Sequence, residues 1–316
     1  MKPQDIREIH IGLEKHGEFY HPARLEVLAG HQKIAFVLNV AVSQTGIEAI
    51  NREYQCLTKL NDEFPLSFLP EVYGFGEVES TGDRKIRLFL GHWFDGYNEF
   101  HVSRDPSDKK NKILVWDDRR IRFYLSLEQS ADLYRQAARI LTYYYNVESF
   151  EQIFSWHHGA GDFVVKINNA DLDLNLISVR GYAPIFKNSG QMENGEGDVE
   201  LILQALLIFF LNLSVRMRLD RYDGVGDIVW ADGPAVQSTL DGFFEGLALK
   251  PPVASMPDSL DNCFRYYLSV CTAADLSELC ETVVKTFHRS SAEVRVVKQH
   301  LKEHVEELNR AIRQVL

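Results

Sequence analysis

The sequence predicts an α+β protein of two lobes, the first a five-stranded antiparallel sheet with one helix and the second mainly helical. Three observations predict it. At 316 residues the chain exceeds the size to which one hydrophobic core usually grows. Strand-like segments separated by turn residues fill the chain to about residue 43 and again over 72–90. From Ser126 onward, apolar residues recur at the helical spacing of three and four. The lobes are drawn accordingly at 1–103 and 104–316.

Glu8-Ile9-His10-Ile11 and Arg24-Leu25-Glu26-Val27-Leu28 alternate in polarity, and Lys33 to Val42 is a nearly continuous β-rich run. Gly12, Gly17, Pro22 and Gly30 punctuate them, so a three-stranded antiparallel meander is expected. Gly46 opens a helix to about Leu60 whose apolar face holds Ile47, Ile50, Tyr54, Leu57 and Leu60. Two strands follow, Val72 to Val78 and Arg84 to Leu90, the second running on through Trp93 to Tyr97.

In the second lobe, Ser126 and Gln129 form a capping pair ahead of the stripe Leu133, Ala137, Ile140, Leu141 and Tyr144. A loop from Trp156 to Asp162 leads into two short strands, Phe163 to Ile167 and Leu174 to Val179. Residues 188–198 read as a polar, glycine-rich loop, and helices then run to the end apart from turns at 223–226 and 250–260. The terminal helix, 292–316, carries Val294, Val297, Leu301, Val305, Leu308, Ile312 and Val315 on one stripe. Such a stripe docks on its own protein or forms half of a coiled-coil homodimer.

Composition narrows the function. A net charge of −11 argues against nucleic acid as a partner, since phosphate binding needs a clustered basic surface. Lys109, Lys110 and Lys112 lie between acidic residues and read as a solvated loop. Cys56, Cys263, Cys271 and Cys280 show no metal-binding spacing and fit reduced thiols in a cytoplasmic protein. The N-terminus lacks an apolar secretion signal. The apolar run Leu201 to Leu213, broken by Gln204 and Asn212, is short for a bilayer and reads as a buried core helix, so no membrane partner is expected. Asp220, Asp223 and Asp227 lack calcium-loop spacing and read as a solvated turn. Serine-hydrolase, zincin and dinucleotide-binding motifs are absent from the sequence.

The running order of sheet, helix, more sheet, linker, helices and a Gly-Asp loop before a hairpin resembles the aminoglycoside phosphotransferase and choline kinase-like branch of the protein-kinase fold. The resemblance spans about residues 8–250. Glu53, in Asn51-Arg52-Glu53-Tyr54, stands where that family keeps the glutamate that pairs with a phosphate-binding lysine. Leu69-Pro70-Glu71-Val72-Tyr73-Gly74 resembles the start of the family's fourth strand, and Leu88 to Glu99, with Trp93, its adenine-side hinge. Gly161-Asp162 resembles the end of the His-Gly-Asp loop, which makes Asp162 the candidate general base, His158 its companion and Asn168 the candidate metal-binding asparagine. ATP is the cofactor this resemblance implies, with a small molecule or a protein as partner.

The sequence departs from the family at the groups that carry charge. Asn39 occupies the lysine position, and a neutral amide does not neutralise phosphate as an ammonium does. His158 precedes Asp162 by four residues where the family has two, and Asn168 follows it by six where the family has five. Arg180 stands in place of the magnesium-binding aspartate, which speaks against magnesium. The expectation is a degenerate kinase-like protein, or pseudokinase, that binds a nucleotide or a partner without efficient transfer. The alternatives are an active phosphotransferase using Asp162, with Asp171 or Asp173 holding the metal, and a scaffold assembling through its last helix. His157 and His158 read as structural rather than as metal ligands.

Overall fold

A computed structural model of the chain describes residues 3–80, 84–116, 122–156, 161–168, 171–185, 196–231, 234–287 and 291–315. The protein is α+β and forms two compact units. Unit 1 is Met1–Tyr97 together with Ile177–Gly181, and unit 2 is Asn98–Leu176 together with Tyr182–Leu316.

Unit 1 holds the antiparallel sheet: β1 (Ile6–Leu13), β2 (His21–Ala29), β3 (Gln32–Ala41), β4 (Val72–Ser80) and β5 (Arg84–His92), in the order β1-β2-β3-β5-β4. The meander and both later strands fall where the alternation places them. Between β3 and β4 runs α1 (Gln44–Glu63), started by Ser43, whose side chain accepts the Gly46 N–H at 3.1 Å. Its buried stripe is Gly46, Ile50, Glu53, Leu57 and Leu60, a hydrophobic face with one carboxyl in it.

Strand register assigns every sheet residue to a face, because directly opposed residues point the same way. The row Pro22–Asn39–Phe89–Phe75 lies on the α1 side, since Tyr54 of α1 stacks on Phe75 at 4.6 Å and reaches Phe89 at 6.1 Å. The row Leu13–Ala23–Leu38–Leu90–Gly74 therefore lies on the opposite side.

Unit 2 opens with a sheet where the sequence predicts a linker: β6 (Glu99–Arg104), β7 (Asn111–Trp116) and β8 (Arg122–Tyr124). Residues 98–103, assigned from sequence to the first lobe, thus pair within the second unit. Lys112 lies on β7 and pairs with Asp105 at 2.6 Å and Asp108 at 2.8 Å, while Lys109 and Lys110 stand exposed in the turn between β6 and β7, as a solvated loop.

The helical layer comprises α2 (Leu127–Tyr143), α3 (Glu196–Arg216), α4 (Ala235–Ala248), α5 (Leu260–Val270), α6 (Ala273–Lys285) and α7 (Ala292–Val315). The capping box of Ser126 and Gln129 starts α2. Two-stranded ribbons join β9 (Glu151–Ile153) to β12 (Tyr182–Pro184), β10 (Phe163–Asn168) to β11 (Asp171–Leu176), and β13 (Leu219–Arg221) to β14 (Ile228–Trp230). Gly242 of α4 faces the Arg135 carbonyl of α2, 1.9 Å from where a β-carbon would stand, so the two helices meet backbone to backbone.

The α3 window Val199–Arg216 is long and apolar enough to cross a membrane, contrary to the shorter run read from sequence, and 67% of it is buried within the protein. Asp220, read as part of a solvated turn, is 4% exposed and accepts the Val102 N–H at 2.8 Å, because β13 lies against β6. The α7 stripe is buried through Val297, Val305, Leu308 and Ile312 against α4, α5, α6 and β14 of its own unit. The glycine-rich segment 188–198 lies largely outside the described residues.

Candidate functional site

The candidate nucleotide-site residues Asn39, Glu53, Trp93 and Arg180 belong to unit 1, and Asp162 and Asn168 to unit 2. His158, with His157, lies outside the described residues.

The first group is built on the α1 side of the sheet. The connector between β1 and β2 crosses the start of α1 so closely that a β-carbon on Gly46 would stand 2.2 Å from the Phe19 carbonyl oxygen. This approach delivers Tyr20, whose hydroxyl donates to one oxygen of Glu53. The other oxygen accepts the backbone N–H of Val179 at 3.1 Å, and the Ser178 side chain also bonds to the carboxyl. Glu53 is 1% exposed. Burial pushes its carboxyl above the usual range, while the hydrogen bonds from Tyr20, Ser178 and Val179, and the charge of Arg180, pull it back.

Asn39 is buried on the same face as Phe89. It brings an amide to the place where the resemblance expects an ammonium, so the partners of Glu53 are a phenol, a hydroxyl and a main-chain N–H. Arg180 lies one residue beyond Val179 in the strap 177–181, and its charge acts on Glu53. Trp93 is covered by the Arg24 guanidinium, 5.1 Å from its ring centre. The same guanidinium pairs with Glu26 at 3.1 Å and Asp95 at 3.6 Å.

In unit 2, Asp162 is 1% exposed and immediately precedes β10. Asn168 is exposed at the far end of that strand, beside the turn to Asp171. Six residues of extended chain separate the two by roughly 20 Å. The structure does not bring them together as a base and a metal ligand. Asp171 and Asp173 are exposed on β11. Among the described residues, no group of three or more histidine, cysteine, aspartate or glutamate side chains is placed to hold a metal. A separate cavity of about 230 Å³ in unit 2 is lined by Tyr145, Phe150, Gln152, Leu201 and Phe209, none of them a candidate site residue of the sequence.

Sequence reasoning missed Tyr20, Arg24 and Ser178. Tyr20 carries no local signal, because its role comes from the course of a seven-residue connector, 14–20, between paired strands. Arg24 was legible only as the polar member of an alternating strand, and its partner Trp93 becomes its neighbour only through folding.

Among known proteins, no family model matches this chain and no curated protein matches it.

Proposed function

We propose that the chain is a two-lobed kinase-like protein that does not carry out efficient phosphoryl transfer and acts by binding a nucleotide or a protein partner. The observation that carries this reading is the set of partners around Glu53. Phosphoryl transfer relies on cationic groups held against phosphate, and the glutamate's usual task is to position such a cation. Here its oxygens are engaged by Tyr20 and the Val179 N–H, and β3 offers the neutral Asn39. The order of five strands with one helix after the third, followed by a helical unit containing a Gly-Asp-to-hairpin segment, supports the kinase-like fold itself.

The Arg24 stack on Trp93 supports the same reading, because the hinge aromatic ring is already covered by a side chain of the protein. Calorimetric titration with ATP, with and without magnesium, tests it. The expected outcome is that magnesium leaves nucleotide affinity unchanged, with Arg180 in place of the metal-binding carboxylate. A strong magnesium dependence overturns the proposal.

The second reading, an active phosphotransferase, is favoured by the burial of Asp162 directly after Gly161, whose φ is +78°. On that reading Asp162→Asn abolishes turnover while the melting temperature holds. Turnover retained in Asp162→Asn removes the residue as base.

A further inference from the structure

The five-stranded sheet is sorted by polarity in an unusual sense. Its ion pairs, Arg24 with Glu26 at 3.1 Å, Lys33 with Glu26 at 2.9 Å, and Glu77 with Lys85 at 3.2 Å and Arg87 at 3.0 Å, lie on the side that carries α1. The side without α1 is largely apolar, broken by exposed His92 of β5, opposite Phe36, and Gln32 at the start of β3. Ile9, Ile11 and Leu13 of β1 stand on it at 52%, 62% and 54% exposure, and Val78 of β4 at 51%. Between them the register sets part-exposed Phe36 and Leu38 of β3. Ala23 and Val27 of β2 are already buried between these strands, but the exposed apolar side chains flanking them meet water, which is costly unless something covers them.

We propose that two copies of this chain associate face to face through the α1-free side of the sheet. Size and charge select this occupant. Five strands about 4.8 Å apart and about eight residues long give a face of roughly 24 by 26 Å, or about 600 Å², close to the ~800 Å² each partner contributes to a standard interface. A single helix, about 10 Å across, would cover less than half of that width. The centre of the face presents no charged side chain, so it does not select a charged partner. A second copy supplies an apolar sheet of the same dimensions. Two such sheets pack about 10 Å apart with interdigitated side chains, and a two-fold axis makes the patch its own complement.

The test is the mass of the full chain in solution, by sedimentation equilibrium across the micromolar range. The expected result is twice the 36.3 kDa of one chain. Ile11→Glu and Val78→Lys, at opposite borders of the face, are each expected to raise the dimer dissociation constant at least about ten-fold, since each buries a charge in an apolar contact. Circular dichroism and the melting temperature verify that each variant is folded. If Ile11→Glu does not fold, Val78→Lys decides alone. A wild-type mass of one chain throughout the range overturns the proposal, and so does such a monomer floating with neutral lipid vesicles, which would assign the face to a membrane surface. A dimer broken by Ile11→Glu but untouched by Val78→Lys also overturns it, because that pattern belongs to edge-to-edge pairing of β1 strands.

Discussion

Glu53 of α1 accepts the backbone N–H of Val179, 126 residues further along the chain, at 3.1 Å. The bond ties the strap 177–181 to the helix and places the charge of Arg180 near a carboxyl whose other oxygen is held by Tyr20. Tyr20→Phe leaves that oxygen buried with one donor fewer. The expected cost is about 1–3 kcal/mol in urea unfolding, the range for an unmet buried polar group.

Burial raises the Glu53 carboxyl above its ordinary value of 4.5. The folded protein therefore holds this proton at a pH where the unfolded chain has released it. The contribution to stability is full below the unfolded value and is lost as pH rises through the folded one. Glu53→Gln, which does not titrate, should flatten the fall in stability above about pH 4.5. Urea unfolding of both proteins at a series of pH values measures the difference in slope.

Lys250 presents the opposite sign. Its Nζ donates to the Tyr143 carbonyl at 2.6 Å and to the Tyr145 carbonyl, closing the end of α2, and burial lowers its pKa to about 7 from 10.5. A neutral amine has two N–H groups, enough for both carbonyls. Between those two values folding releases a proton, so stability should rise with pH across that window. Lys250→Met is expected to abolish the rise and to cost about 1–3 kcal/mol above neutral pH through the lost carbonyl partners. Thermal unfolding against pH for both proteins checks it.

The approach of α4 to α2 depends on two positions without side chains. A β-carbon on Gly242 would stand 1.9 Å from the Arg135 carbonyl oxygen, and one on Gly246 2.6 Å from the Thr142 β-carbon. Backbone cannot yield as a flexible side chain does. Gly242→Ala should therefore destabilise unit 2 by about 3 kcal/mol, at the upper end of overpacking costs, and Gly246→Ala by less. Denaturant midpoints of the two variants provide the comparison.

Arg218 is 2% exposed, with its guanidinium bonded to the Ala231 carbonyl at 2.8 Å and to Glu307 of α7 at 2.5 Å. Glu307→Ala removes the countercharge from a buried cation. Because the Glu307 side chain remains 33% exposed, the expected loss is about 2 kcal/mol, below that of a wholly buried pair. Amide exchange in α7 should quicken in the same variant, since this bond joins that helix to the segment after α3.

Strands and helices with strong periodicity were legible in the sequence. The alternation of Glu8 to Ile11 and Arg24 to Leu28, and the stripe of α1, placed five strands and a helix correctly because half-buried elements repeat their polarity at fixed intervals. The sheet of β6, β7 and β8 was not legible, because Ile113, Leu114 and Val115 are buried as a continuous run and charged residues flank them. The strap 177–181 reads as a continuation of β11, and only tertiary packing shows that it joins the other unit. Glu53 was legible as a position of interest, but its actual partners come from residues 20 and 177–180, which no local pattern connects.

The membership of Ile177–Gly181 in unit 1 also bears on how the protein comes off the ribosome. At roughly 5–20 residues per second, the 126 residues between Glu53 and Val179 take roughly 6–25 seconds to synthesise. During that interval the nascent sheet and α1 hold a carboxyl whose main-chain donor does not yet exist. The first unit to be translated is thus the one that waits for the second to finish it.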